Sequence, residues 1–209
     1  IQVIGKDGAI VDHDPIWEGG LIDHYLCGVL ADNVLVQNIE FDGSALDDCN
    51  DSAAVFCPNT TGTTLSDLTI YDVNSTTCSS YMHAGIVVLG GFNTVDIVNP
   101  DISGCEIGVL VEDDTVNVSG GAIQGGGTEA SYNSSGILAL SGSTVSVSGT
   151  EIFDMWSTDI TPSGEAPGAT GPEAGFGVVA YDIDAAGDAP GGPAGATLTF
   201  SDRCDIHHT

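Results

Sequence analysis

The feature that most constrains this chain is a short apolar pattern that returns along most of its length. Its apolar residues stand at relative positions 0, 2 and 7, as in Val95, Ile97 and Ile102. The spacing of two places the first two side chains on one face of a β-strand, and the third follows after a bend. Other copies begin at Val34, Val116 and Val145, with looser copies at Leu68 and Leu198. Such repetition predicts a repeat architecture.

A second pattern alternates with the first and consists of a glycine, a short apolar run and a polar turn. Its copies begin at Gly28, Gly85, Gly108, Gly136 and Gly177. The turns are rich in Gly, Asn and Asp, which tolerate tight backbone geometry. The shortest interval between copies of the first pattern is 21 residues, from 95 to 116. That length suits one coil of two or three short strands, and longer intervals would hold loops inserted at the corners.

We therefore predict an all-β fold, a right-handed parallel β-helix of about six to seven coils, as a single domain over residues 1–209. A β-sandwich also has many short strands, but it does not require two patterns to alternate in fixed order. No segment has a helical period of 3.6 residues, which disfavours a βαβ fold. Two stretches, about 153–175 and 185–196, leave the repeat and are expected to be loop excursions. Trp156, in the first, is a candidate ligand-binding or interface residue.

Through phrases such as Asn33 to Phe41 and Gly85 to Val88, the chain resembles the pectate-lyase-like superfamily of right-handed β-helices. The resemblance implies this fold and a carbohydrate-rich context, since the superfamily includes polysaccharide lyases, epimerases, hydrolases, phage tailspikes and adhesins. Its lyases and epimerases typically use basic residues beside a cation. The only Lys and Arg residues here are Lys6 and Arg203, at opposite ends of the chain. The sequence thus leaves enzymatic activity open and favours a non-enzymatic role.

The charge of the chain is almost entirely of one sign, with 30 acidic and 2 basic residues and a formal net charge of -28. Repulsion within such a surface reaches about 8–10 Å at ordinary ionic strength and roughly 3 Å in molar salt. This predicts a protein suited to high salt or to binding many divalent cations; the alternative is an acidic secreted protein kept soluble by glycans. A nucleic-acid partner is excluded because no basic patch exists to neutralise phosphates. No apolar run approaches the ~20 residues of a transmembrane helix.

The six cysteines show neither CxxC spacing nor a zinc-binding pattern, which favours disulfides in an oxidising compartment. Cys49 and Cys57 bracket a short polar loop and are the favoured pair. Cys78 with Cys105 is the second pair, because these two residues could lie on adjacent coils. The connectivity remains open.

Five asparagines begin an Asn-x-Ser/Thr sequon, the acceptor signal for N-glycosylation. They are Asn50, Asn59, Asn74, Asn117 and Asn133. Together with the cysteines, they predict an extracellular or cell-surface glycoprotein.

Calcium is the predicted cofactor, since hard carboxylate ligands at turns suit Ca²⁺. Asp113 and Asp114 lie in a predicted turn, and Asp182 and Asp184 open a Gly/Pro-rich excursion. The chain has no EF-hand or nonapeptide calcium repeat.

Asp12, His13 and Asp14 form the densest polar cluster near the start of the chain. A histidine between carboxylates is a candidate metal ligand or general base, and also a candidate interface residue. The alternative is a polar loop at the open end of the solenoid.

The ends of the repeat suggest a function. Regular strand patterns reach both ends of the sequence, and neither end has an amphipathic capping helix of the kind that covers terminal coils. Either the chain was cut from a larger protein, or its open ends meet those of neighbouring subunits. Contacts between unlike ends propagate, which predicts a structural subunit of an extracellular filament or surface array. The alternatives are a polysaccharide-binding or polysaccharide-modifying domain, and a viral spike or adhesin.

Overall fold

A computed structural model describes residues 1–6, 8–11, 16–17, 22, 24–46, 51–74, 82–125, 135–140, 142–155, 176–180 and 195–207. Regular structure in these ranges is β-strand, apart from a 3-10 helix at Gly43–Leu46. The strands form three seven-stranded sheets, and the chain visits sheets A, B and C in turn. The predicted parallel β-helix is therefore confirmed. None of the helical structure in these ranges is long and apolar enough to cross a bilayer.

Strands are numbered in chain order and grouped by sheet. Sheet A contains β1 (Gln2–Ile4), β5 (Leu35–Gln37), β8 (Thr61–Ser66), β11 (Thr94–Val98), β14 (Thr115–Ser119), β17 (Thr144–Ser148) and β20 (Thr197–Ser201). Sheet B contains β2 (Ile10–Val11), β6 (Glu40–Asp42), β9 (Thr69–Tyr71), β12 (Asp101–Cys105), β15 (Ala122–Gly125), β18 (Glu151–Phe153) and β21 (Asp205–His207). Sheet C contains β3 (Ile16–Trp17), β4 (His24–Gly28), β7 (Ser52–Pro58), β10 (His83–Leu89), β13 (Ile107–Glu112), β16 (Ser135–Ala139) and β19 (Phe176–Ala180).

Each coil begins with its sheet A strand, so coil 1 begins with β1 and coil 7 with β20. Neighbouring strands pair in parallel, except that β3 runs antiparallel to β4. A coil adds one strand to each sheet, and the rise per coil is therefore the inter-strand spacing of about 4.8 Å.

The core is a continuous apolar column inside the three sheets. Val34, Val95, Val116 and Val145, the valines that open the repeat, are all buried. Val95 pairs with Val116, and Val116 with Val145, so identical side chains stack from coil to coil. This alignment is what the spacing of the repeat predicts.

Two details of the repeat differ from the prediction. In coil 3 the residue opposite Val95 is Thr63, not Leu68, because a buried threonine occupies the apolar position and hides it in the sequence. In coil 1 the register places Leu26, not Gly28, in the glycine column. In later coils that column requires glycine, since a Cβ at Gly136 would lie 2.5 Å from the carbonyl oxygen of Gly177.

The corner between sheets A and B is short. In six coils its first residue has φ between 47° and 65°, which favours Asn, Asp or Gly. These residues are Asn38, Asp67, Asn99, Gly120, Gly149 and Asp202. The connection from sheet B to the next sheet C strand varies instead, and residues 47–50, 75–81, 126–134 and 156–175 all fall there. A further long segment, 181–194, falls in the sequence between β19 and β20. The outer face of sheet C has its own apolar cluster, including Tyr25, Val87 and Leu110.

Candidate functional site at the terminal coils

The first coil exposes a side chain that every inner coil buries. Val3 occupies the inward column of sheet A and pairs in register with Val36. Val36 is 1% exposed, whereas Val3 is 46% exposed, because β1 is the outermost strand of sheet A. Val11, on β2, pairs with Phe41, which is 0% exposed, and is itself only partly buried. The first coil therefore presents an apolar surface together with two strand edges.

The last described coil has the same character. Phe200 pairs with Val147 in sheet A, and Ile206 pairs with Ile152 in sheet B. The two inner residues are 0% exposed, whereas Phe200 is 45% and Ile206 is 42% exposed. Core positions are thus open at both ends of the solenoid.

The three sheets do not end at the same coil, and the offsets at the two ends of the described solenoid are complementary. At the N-terminal end, sheet C extends one strand beyond sheets A and B, because β3 lies outside β4. At the other end of the described structure, sheet C stops at β19 in coil 6, whereas sheets A and B continue to β20 and β21 in coil 7. Among the described residues, the projecting strand at one end therefore corresponds to a level without a sheet C strand at the other. Each sheet still has seven strands.

Both basic residues of the chain lie at these ends, on the same corner. Lys6 follows Gly5, whose backbone N–H donates to the carbonyl oxygen of Gln37 at 2.8 Å. Arg203 follows Asp202, which holds the corner position between β20 and β21. Lys6 and Arg203 are exposed. The terminal coils are therefore the only places where this anionic chain carries basic side chains.

A buried histidine–glutamate pair lies where two strands of sheet C begin, and it is the second candidate site. His83 Nδ1 is 3.1 Å from Glu106 Oε2, and the His83 side chain is fully buried. Burial raises the pKa of the Glu106 carboxyl, the hydrogen bond to His83 opposes that shift, and the charge of Asp51 reinforces it. Such a pair can hold or transfer a proton. No sequence motif marked His83 or Glu106 as a candidate site.

Asp113 and Asp114, two of the predicted calcium ligands, have different environments. Asp114 is buried, and its carboxylate accepts hydrogen bonds from the Asn93 backbone N–H at 2.7 Å and from Asn93 Nδ2 at 2.5 Å. Burial raises the pKa of Asp114, and these hydrogen bonds oppose the shift. Asp113 is exposed, with φ 58°. The Asp114 carboxylate thus already serves to join two coils.

The other two predicted ligands, Asp182 and Asp184, lie outside the described residues. Within the described ranges, no group of three or more His, Cys, Asp or Glu residues is arranged to hold a metal ion. Calcium binding stays a prediction.

Cys57 and Cys105 are buried thiols, and burial raises the pKa of both, that of Cys105 to about 12. Their predicted partners, Cys49 and Cys78, lie outside the described residues, so both pairings stay predictions. Cys27 lies near Cys57 but pairs in register with Val55, two residues away. That offset separates the two Cα atoms by roughly 8 Å, beyond the ~7 Å limit for a disulfide.

The three sequons whose asparagines lie within the described residues have different structural environments. Asn59 is exposed in a turn with φ 49°, which suits glycosylation. Asn74 Nδ2 donates to the carbonyl oxygen of Gly104 at 2.7 Å, and Asn117 Nδ2, within β14, donates to Asp96 at 2.8 Å. Asn50 and Asn133 lie outside the described residues. Glycosylation stays a prediction at all five.

The remaining predicted site residues, Asp12, His13, Asp14 and Trp156, also lie outside the described part of the chain. Their proposed roles in ligand binding or contact between subunits therefore stay predictions.

Comparison with known proteins finds no matching family model, no matching curated protein and no matching solved structure. Function must therefore be inferred from the geometry of this chain alone.

Proposed function

We propose that this protein is a secreted, acidic structural subunit that stacks end to end into an extracellular filament or surface array. The observation that carries the proposal is the complementary step at the two ends. When coil 7 of one copy lies under coil 1 of the next, β3 of the upper copy occupies the position that sheet C leaves open above β19. All three sheets then run through the junction without a missing strand.

The register of the sheets supports the same arrangement. Sheet A pairs Val3 with Val36 and Val147 with Phe200, so an in-register junction places Phe200 opposite Val3 of the next copy. Two side chains that are half-exposed in the single chain become buried, and two strand edges gain hydrogen-bond partners. Because the two joined ends are different surfaces, each copy keeps one free end after joining. The same contact can therefore repeat, and a filament grows.

Charge explains when the stack would form. Two bodies of charge -28 repel each other in dilute buffer, and molar salt reduces the range of that repulsion to roughly 3 Å. In the junction, Lys6 lies at the corner where the neighbouring copy places Asp202 and Arg203. Basic residues at the ends therefore lower the repulsion where the copies must touch. We infer that assembly is favoured by high salt.

A cysteine cross-link can test the junction, because the chain provides one of its two thiols. Cys204 precedes β21 as Ala9 precedes β2, and both residues are partly buried. The stack places Ala9 one strand spacing, about 4.8 Å, from Cys204 of the next copy, within the Cα distances that disulfides span. The variant Ala9→Cys, oxidised in molar salt, should give a ladder of covalent oligomers on a non-reducing gel.

Two controls decide the result. Adding Cys204→Ser to Ala9→Cys should abolish the ladder. Ala122→Cys, partly buried like Ala9 but on a middle coil of sheet B, should give no ladder, because no junction brings it to Cys204. Equal ladders from Ala9→Cys and Ala122→Cys, or none from either, would contradict stacking.

The alternative proposal is a polysaccharide-modifying domain of the pectate-lyase-like superfamily. The repeat pattern of the sequence supports it, and the His83–Glu106 pair supplies a candidate proton-transfer group. Turnover of alginate or pectin by the wild type and its loss in His83→Ala, with the fold intact by circular dichroism, would favour this proposal. No turnover of either polymer would count against it.

A further inference from the structure

Phe92 is the most exposed large apolar side chain among the described residues, at 93% exposure. It lies in the connection between β10 and β11, on a middle coil, so the proposed end-to-end contact would not cover it. Its backbone has φ 77°, a left-handed conformation that a phenylalanine rarely adopts and that costs free energy. The backbone N–H of Phe92 donates to the carbonyl oxygen of Asp113 at 3.3 Å, which ties this loop to the following coil. The fold thus holds an aromatic ring out in solvent.

The loop that carries this ring lies against a glycosylation sequon on the preceding coil, the one that begins at Asn59. Strand pairing on both sides places Asn59 and Thr60 opposite the loop 90–93. A Cβ at Gly90 would lie 2.7 Å from Asn59 Oδ1, so the sequon asparagine touches the loop directly. The backbone N–H of Thr60 donates to Asn93 Oδ1, which fixes the two connections together. The sequon and the aromatic ring therefore lie on adjacent coils, whose strands are about 4.8 Å apart.

Asn59 is also the described sequon asparagine whose amide group stays available. The amide groups of Asn74 and Asn117 each donate a hydrogen bond to a neighbouring coil. The Asn59 side chain makes no hydrogen bond within the described ranges, and the residue is exposed in its turn. Because N-glycosylation modifies Nδ2 and adds a bulky group that needs a surface position, Asn59 is the best placed acceptor of the three.

We propose that Asn59 carries an N-linked glycan and that Phe92 is the platform on which the first sugar of that glycan packs. Attachment forms a bond between Asn59 Nδ2 and the anomeric carbon of a glycosyl diphosphate donor. The bond from that carbon to the diphosphate oxygen breaks, the diphosphate leaves, and Nδ2 loses one proton.

The chemistry of the platform suits a sugar. The C–H groups on one face of a sugar ring are apolar, and their burial against an aromatic ring is favourable. A neutral sugar is also not repelled by a chain of net charge -28, as an anionic partner would be. This inference shares with the proposed function only the export of the chain, and it does not depend on stacking.

Peptide mass spectrometry tests the acceptor, with the full chain secreted by a host that glycosylates Asn-x-Thr sequons. Most copies of the wild type should carry a glycan on Asn59. Thr61→Val keeps the shape of the side chain but removes the hydroxyl that the sequon requires, and it should leave Asn59 unmodified. An unmodified Asn59 in the wild type would overturn the proposal and would leave the cross-linking test of stacking unaffected.

Thermal unfolding tests the platform, with Phe92→Ala compared in the wild-type and Thr61→Val backgrounds. In the glycosylated chain, Phe92→Ala should lower Tm by about 2–4 °C, the shift expected for one aromatic contact in a chain of this length. In the Thr61→Val chain it should change Tm very little, because the ring is then exposed to water. Equal losses in both backgrounds would assign the ring to another contact, such as a second copy. That result, or no loss in either background, would overturn the platform.

Trimming the glycan tests which sugar makes the contact. An endoglycosidase that leaves only the first sugar on Asn59 should preserve the Tm difference between the wild type and Phe92→Ala. Loss of the difference after trimming would show that outer sugars make the contact, and would overturn the assignment of the first sugar to Phe92.

Discussion

The middle and the ends of this solenoid have the same inward residues in different surroundings. Ile152, on β18, is covered by coils on both sides and is fully buried, whereas Ile206, one coil further, is 42% exposed. An apolar side chain that faces water on a terminal coil contributes little to the stability of the isolated chain. The proposed end-to-end contact would cover these side chains as the inner coils cover Ile152.

The largest expected effect is the difference in stability loss between substitutions in the middle and at the end of the solenoid. Ile123→Ala creates a cavity between covered coils and should lower the free energy of unfolding by about 2–5 kcal/mol. Ile206→Ala, on the open coil, should cost less than about 1 kcal/mol in dilute protein. Urea unfolding of both variants in the same salt measures the difference. Equal losses would show that the last coil is as well packed as the interior.

Glycine substitutions probe the same comparison through the backbone. A Cβ at Gly136 would lie 2.5 Å from both the Gly177 carbonyl oxygen and Ile152 Cγ2, so Gly136→Ala should cost about 1–3 kcal/mol. A Cβ at Gly195 would have no other atom within 4 Å, and Gly195→Ala should therefore be nearly neutral. Thermal unfolding of the two variants checks this, and a Gly136→Ala protein as stable as the wild type would disprove the tight glycine column.

Lys6 allows a test of how charge acts at the ends. Lys6→Gln and Ala122→Asp both change the formal net charge from -28 to about -29, but only Lys6 lies on a terminal coil. Lys6→Gln should raise the salt concentration needed for assembly more than Ala122→Asp does, because repulsion increases at the junction itself. Light scattering across a salt titration gives both midpoints. Identical midpoints would mean that only net charge matters.

The smallest expected effect compares two histidine–glutamate pairs. The pair His83–Glu106 is buried at 3.1 Å, whereas His207–Glu151, at 3.0 Å, is partly exposed on the last coil. Because burial raises the Glu106 pKa in the folded state, the folded protein holds that proton to higher pH than the unfolded chain. The contribution of Glu106 to the free energy of unfolding is fully present below the pKa of the unfolded chain, near 4.5. It is lost as the pH rises through the raised pKa of the folded protein.

The variants Glu106→Gln and Glu151→Gln measure that contribution. Stability of the wild type relative to Glu106→Gln should fall as pH rises from about 4.5, whereas stability relative to Glu151→Gln should change little because exposed pairs contribute little. Urea midpoints from about pH 4 to 8 provide the comparison. Parallel curves for the wild type and Glu106→Gln would contradict the assigned environment of Glu106.

The fold was predictable because stacking imposes one period on the whole chain. Val95, Val116 and Val145 repeat with their neighbours, and a β-sandwich does not require that order. Coil 3 was misaligned because Thr63 is polar where the other coils have valine. The candidate sites were less predictable. The position of β3 outside β4, and of β19 as the last described strand of sheet C, depends on strand pairing and has no sequence motif. The contact between His83 and Glu106 joins residues 23 positions apart, which no local pattern connects.

The axial repeat of the assembled protein tests the central claim most directly. If copies stack in register, each subunit contributes seven coils, and the filament should repeat every ~34 Å along its axis, with the ~4.8 Å strand spacing along the same axis. Electron microscopy or fibre diffraction in molar salt measures both values. Dispersed monomers at high concentration, or a repeat that is not seven strand spacings, would contradict end-to-end stacking.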